Sequence, residues 1–196
     1  MITMLSRPKP PPYPTDRLVS GEELAEHHEW GYCELVRGKV VPVTVPRPPH
    51  GLTVNWLAYK ITVFVSRRKL GKVTCGDAGI YTARNPDSVR GPDIAFFSNE
   101  RLKLEPHPVG YFTVAPDICV EVRSPGQPWR EVAEKVDEYL AIGVRLVWVV
   151  DPLRREVHVY APGRAVRVLK GKDRLDGEDV LPGFRLALGV LFAALD

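Results

Sequence analysis

The chain has 196 residues, 44% of them apolar and 26% charged, ordinary values for a globular protein and enough for one compact domain with its own core. Lysine and arginine number 27 against 24 acidic residues, a weak basic excess that permits a nucleic-acid partner without demanding one. No apolar run approaches the roughly 18 residues needed to span a bilayer, and Cys33, Cys75 and Cys119 have neither a Cys-x-x-Cys pair nor a histidine at ligand spacing, so no membrane span, disulfide framework or zinc knuckle is supported.

The first 15 residues contain Pro8, Pro10, Pro11, Pro12 and Pro14, an extended segment that cannot form helix. Residues 1–15 are therefore expected to be a proline-rich extension and 16–196 a single domain. No uninterrupted hydrophobic leader follows Met1, which predicts a cytoplasmic protein with reduced thiols in its core. One glutamine and three asparagines beside 19 prolines fit a thermophilic or GC-rich source.

Ser20-Gly21-Glu22-Glu23 has capping-box spacing and predicts a short helix running to about Glu29. Tyr32 to Val45 reads as a hairpin turning near Arg37-Gly38, with Glu34 on its first strand. From His50, Leu52, Leu57, Ile61, Phe64 and Val65 recur at roughly helical spacing, and Gly71 stands where a C-cap is expected. Strands are expected over 73–81, 93–97, 118–122, 146–150, 156–160 and 166–169. Between the third and fourth of these, Trp129, Val132, Ala133, Val136, Tyr139 and Leu140 form the apolar stripe of a helix opened by Pro128 and closed by Gly143. Strand, helix and strand there make a crossover unit. The fold class is thus α/β, an α+β mixed sheet with flanking helices and an N-terminal hairpin.

Ile118-Cys119-Val120-Glu121-Val122 puts a carboxylate inside an apolar strand, where an unpaired charge would cost several kcal/mol. Strand phase turns Asp117, Cys119, Glu121 and Arg123 to one face. Taken alone, Glu121 reads as half of an ion pair with Arg123 or Lys135, and Asp93, after Pro92 at the mouth of another strand, reads as a turn residue. Taken together, two acids at strand mouths suit Mg²⁺, which needs only one or two carboxylates beside water and a substrate phosphate. Lys135 lies on the flank of the helical stripe, its stem long enough to carry the amine toward the strand ends. By itself it would pair with Glu131, four residues earlier.

Gly91-Pro92-Asp93-Ile94-Ala95-Phe96, Pro116 to Pro125, Glu134-Lys135, Gly143-Val144 and Trp148 to Pro152, in that order and spacing, resemble the Uma-two family of predicted restriction endonucleases, within the PD-(D/E)XK nuclease superfamily. The hairpin from Glu34 to Val40 and the helix entry at His50 also match, so the resemblance spans roughly 18–192. It implies a restriction-endonuclease-like core in which Asp93, Glu121 and the Val122 backbone carbonyl hold Mg²⁺, with Mn²⁺ as an alternative, and Lys135 is the catalytic lysine. The superfamily's usual lysine, two residues after the acid, is replaced by Arg123, which can clamp phosphate but cannot readily exchange a proton. Glu34 matches an acidic position that supports the metal; a solvent-facing hairpin glutamate is equally compatible with it. His50 could touch substrate or hold Glu34, or simply open its helix, and the cations Arg67, Arg68, Lys69 and Lys72 complement a helix end, with a DNA-backbone patch as the alternative.

The reading that follows is a Mg²⁺-dependent endonuclease acting on nucleic acid, DNA first, and working as a homodimer if two sites cut two strands. Two alternatives stand beside it: a non-catalytic nucleic-acid-binding or assembly module, and a metal-dependent hydrolase of other phosphate compounds. No residue is assigned to nucleic-acid binding from the sequence.

Overall fold

The computed structural model describes residues 13–196. Pro8 to Pro12 of the expected extension lie outside it, while Tyr13 packs against the cluster of Val19, Leu24, Trp30, Leu35 and Val89. Helix α1 (Gly21–Glu26) starts where Ser20 accepts the Glu23 amide at 3.1 Å. It ends three residues earlier than its sequence suggests, and a single 3-10 turn, His28–Trp30, carries the chain into the hairpin. Strands β1 (Cys33–Val36) and β2 (Lys39–Pro42) pair antiparallel, and Arg37 and Gly38 both take positive φ, as a tight hairpin turn requires.

Helix α2 (Pro48–Arg68) follows, with Pro48 in the first turn, where its missing N–H costs nothing. Its left-handed C-cap is Lys69, and Gly71, expected in that role, is the first residue of β3 (Gly71–Cys75). Gly71 is needed there for space, because a Cβ would sit 1.9 Å from the Phe97 carbonyl oxygen of the neighbouring strand. Gly71→Ala is expected to lower unfolding stability by about 2–3 kcal/mol, the scale of an overpacked core site, measured as a shift in the urea midpoint.

The segment expected as one strand over 73–81 is two. Gly76 and Asp77 both adopt positive φ, and that bend sends β4 (Ile80–Ala83) into a different sheet from β3. Strands β5 (Ser88–Arg90) and β6 (Ile94–Ser98), helix α3 (Asn99–Leu104), strand β7 (Ile118–Val122), helix α4 (Trp129–Ala141) and strands β8 (Leu146–Asp151), β9 (Glu156–Tyr160) and β10 (Arg167–Lys170) come next. A hairpin of β11 (Arg174–Gly177) and β12 (Leu181–Ala187), then helix α5 (Leu188–Phe192), completes the order.

Six strands form the main sheet in the order β10-β9-β8-β7-β6-β3, and four form a second in the order β2-β1-β5-β4. Among the strand pairs of the described residues only β7/β8, joined through α4, is parallel, so the expected crossover unit is present between neighbouring strands. Alternation along the strands builds two cores. Ile118, Val120 and Val122 join α2, β12 and α5 on one face, while Cys119, Val147 and Val149 meet Val132, Val136 and Tyr139 of α4 on the other. The sheet is thus mixed, with a long helix on each face. The three cysteines are free, but only Cys119 is a core residue: Cys33 is half-buried and Cys75, on the edge strand β3, is exposed.

Candidate metal centre and its cavity

Register explains why distant acids meet. Strands β6 and β7 run antiparallel with Ile94 opposite Val120, so the next step sets Asp93 across from Glu121. Residues directly opposite in such a pair share a face, and here it is the face covered by α4. From the stripe of α4, Tyr139 donates its hydroxyl to Glu121 Oε1 at 2.7 Å, and Lys135 Nζ lies 3.2 Å from Glu121 Oε2.

Glu34 enters from the second sheet. β1 pairs with β5, and β5 leads through Gly91-Pro92 directly into β6, which links hairpin to main sheet at the point where Asp93 begins. Glu34 accepts the Gly91 amide at 3.1 Å, lies 2.8 Å from Lys135 Nζ and pairs with Arg90 at 3.0 Å. Arg90 in turn holds Glu138 of α4, at 2.6 Å. Asp93 accepts the Val122 amide on Oδ2 at 2.5 Å, and its Oδ1 lies 3.1 Å from His50 Nε2. His50 stands in the first turn of α2 with its buried Nδ1 unpaired.

The electrostatics follow from three carboxylates around one ammonium. Burial, with Asp93 and Glu34 adding to it, lifts Glu121 to about 7 against the pull of Lys135. Burial works against the charge of Lys135, but the neighbouring Glu121 and Glu34 win, and its pKa is raised. Glu34 is likewise burdened by burial, yet Lys135, Arg90 and the Gly91 amide hold it below the usual carboxylate range. Asp77, on the bend between β3 and β4, is pushed up to about 6 by burial and by Asp93.

Glu34, His50, Asp77, Asp93, Glu121 and Lys135 all border one open cavity of about 600 Å³, as does Val122. The structure therefore brings together Asp93, Glu121, Val122, Lys135, Glu34 and His50 of the residues singled out from sequence. Arg123 goes elsewhere. Its guanidinium pairs with Asp151 at 2.6 Å, donates to the Gln127 carbonyl at 2.6 Å and lies 4.4 Å from the Trp129 ring centroid, which ties the 124–127 loop to β8 and α4. Asp117 is at the opposite end of β7, accepting the Ser98 amide at 2.7 Å.

Sequence reading missed Asp77, Arg90 and the hydroxyl of Tyr139. Asp77 sits in Gly-Asp-Ala-Gly and has the appearance of a turn residue, and Tyr139 that of one more apolar stripe position. Arg90, immediately before Gly91-Pro92-Asp93, had only adjacency to mark it.

Among the described residues no group of three or more His, Cys, Asp or Glu side chains is arranged to hold a metal. The donors are two buried carboxylates, one of them next to a main-chain carbonyl. That hard, oxygen-only set suits Mg²⁺, which keeps several water or phosphate ligands.

A search of curated proteins finds no match to this chain. A solved structure from Anabaena variabilis ATCC 29413, described as "a putative nuclease belonging to DUF820", shares the fold with a TM-score of 0.78 at 20% identity, over 91% of this chain and 99% of that one. The model of the Uma2 family, described as "Putative restriction endonuclease", matches residues 22–189, most of the sequence, and the chain belongs to that family.

Proposed function

We propose that this protein is a divalent-cation-dependent endonuclease that hydrolyses phosphodiesters of nucleic acid, DNA in the first instance. The observation that carries the reading is the convergence of Asp93, Glu121 and Lys135, from two strands and a helix, on one open cavity. Asp93, Glu121 and the Val122 carbonyl are the ligands of Mg²⁺, with Mn²⁺ as a substitute. When bound, the ion acidifies a coordinated water and neutralises charge developing on the phosphoryl oxygens.

The chain's own groups do the rest. His50 and the Val122 amide fix the Asp93 carboxylate, and Tyr139 fixes that of Glu121. Arg90 and the Gly91 amide hold Glu34, which steadies the Lys135 ammonium beside Glu121. From there Lys135 can orient the attacking water and stabilise negative charge at the phosphorus. Arg123 acts at a distance by anchoring the loop that borders the cavity.

The wild-type protein is expected to cut DNA with Mg²⁺ or Mn²⁺ and not with EDTA, and Asp93→Ala/Glu121→Ala to bind neither ion in calorimetry. Unchanged metal binding in that double variant would overturn the ligand assignment. DNA binding without metal, and no cleavage of any substrate, would make the protein a non-catalytic binding module instead.

A further inference from the structure

We infer that the cavity takes single-stranded nucleic acid, one or two nucleotides at a time, with a base stacked on Tyr32. This rests on the nuclease reading above and specifies its substrate.

Size is the first argument. A cavity of about 600 Å³ falls in the range of pockets that enclose one small ligand, roughly 300–1,000 Å³. Such a space is on the scale of a nucleotide or two rather than of a turn of duplex. The cavity is also lined by residues from several separate elements. His28 lines it, with Val43, Thr44 and Pro46 from the segment after β2, the 124–127 loop and Glu131 of α4.

Charge is the second argument. Proteins that grip a duplex do so largely through lysine and arginine on its phosphates. Among the described residues Lys135 is the single lysine or arginine bordering the cavity, and it is already committed to Glu34 and Glu121. The cations Arg67, Arg68 and Lys69 are exposed at the far end of α2, roughly 25 Å along the helix from His50 at 1.5 Å per residue. Among the described residues the lining therefore offers no further lysine or arginine to a second phosphate backbone.

Aromatic surface is the third. Tyr32 borders the cavity with 52% of its surface exposed, and its carbonyl accepts the Val43 amide at 3.0 Å, so hairpin pairing fixes its backbone. Among the described residues it has no aromatic partner. By contrast Tyr111, on the same cavity, is set edge-on to Tyr81 with ring centroids 6.1 Å apart. An exposed ring on a fixed backbone beside a phosphodiester site supplies the stacking platform of sequence-tolerant single-strand binding, since every base has a face to stack.

The test measures binding of a labelled single-stranded DNA 12-mer and of the same sequence as a blunt duplex by fluorescence anisotropy, with Ca²⁺ in place of Mg²⁺. Parallel cleavage assays use Mg²⁺. The single strand is expected to bind at least tenfold more tightly than the duplex and to be cut faster. Tyr32→Ala is expected to weaken single-strand binding about tenfold, while Tyr32→Phe, which keeps the ring, binds as wild type. Equal or tighter duplex binding, or an unchanged Tyr32→Ala, overturns the inference, and Mg²⁺-dependent duplex cutting in that case leaves the nuclease reading intact. Selective single-strand binding with no cleavage of either substrate would have the opposite meaning: the pocket stands and the nuclease reading falls.

Discussion

Lys135→Met is expected to lower the rate of phosphodiester cleavage by about 10²–10³-fold, the effect of deleting one transition-state charge stabiliser, while tightening Mg²⁺ binding roughly tenfold. The two effects separate because Lys135 competes with a metal for the same carboxylate. Its ammonium lies 3.2 Å from Glu121 Oε2 and 2.8 Å from Glu34 Oε1. Two unit charges about 4 Å apart attract by about 4 kcal/mol at an effective dielectric of 20. Proton uptake by the freed Glu121 and water entry remove most of that, leaving the roughly tenfold expected at about 1.4 kcal/mol per decade. Methionine retains an unbranched stem of similar length, so the packing of α4 onto the sheet survives. Calorimetric titration with Mg²⁺ and single-turnover cleavage give the two numbers. Were metal affinity and rate to fall together, Lys135 would be a structural ion pair and the catalytic cation would have to be sought elsewhere.

Glu121→Gln is expected to abolish cleavage and metal binding, and yet to make the metal-free protein more stable at pH 8 by up to about 3 kcal/mol at 1.36 kcal/mol per pKa unit. In the fold, burial raises Glu121 from its ordinary 4.5 to about 7. Between those values the folded chain holds a proton that the unfolded chain has released. That contribution is complete below pH 4.5 and is lost as pH rises through 7. At pH 8 the wild type therefore carries a buried charge that glutamine lacks, although glutamine can still accept from Tyr139, and Lys135 keeps Glu34. Thermal melts in EDTA should show the variant ahead at pH 8 and level with the wild type at pH 4. Saturating Mg²⁺ should raise the melting temperature of the wild type at pH 8 by mass action and leave the variant unmoved. Parallel pH profiles for the two proteins would remove burial as the source of the strain. A centre that is costly until a cation arrives is the usual signature of a functional carboxylate.

The same carboxylate shows where sequence reasoning reached and where it stopped. An acid inside Ile-Cys-Val-Glu-Val needs a partner whatever the fold, and strand period alone assigns Glu121 to the face opposite Val120 and Val122. That assignment holds, since the two valines lie in the α2-side core and Tyr139 meets Glu121 from α4. Strand phase also put Arg123 and Asp117 on that side, but could not see that Asp151 would claim the first and the Ser98 amide the second. The bend at Gly76 and Asp77 escaped the apolar pattern, because two positive-φ residues divide a run that otherwise reads as one strand.

By itself, the sequence determined what periodicity and local chemistry encode: the α4 stripe, the crossover from β7 to β8, the hairpin turn, and the oddity of acids at strand mouths. Only the tertiary structure decided which of those acids meet. The β6/β7 register brings Asp93 across from Glu121, α4 lays Lys135 between Glu121 and Glu34, and the β1/β5 pairing carries the second sheet, with Tyr32 beyond it, over the cavity. Pairing partners and helix docking are long-range choices, fixed by the burial of whole faces rather than by any neighbouring residues in the chain.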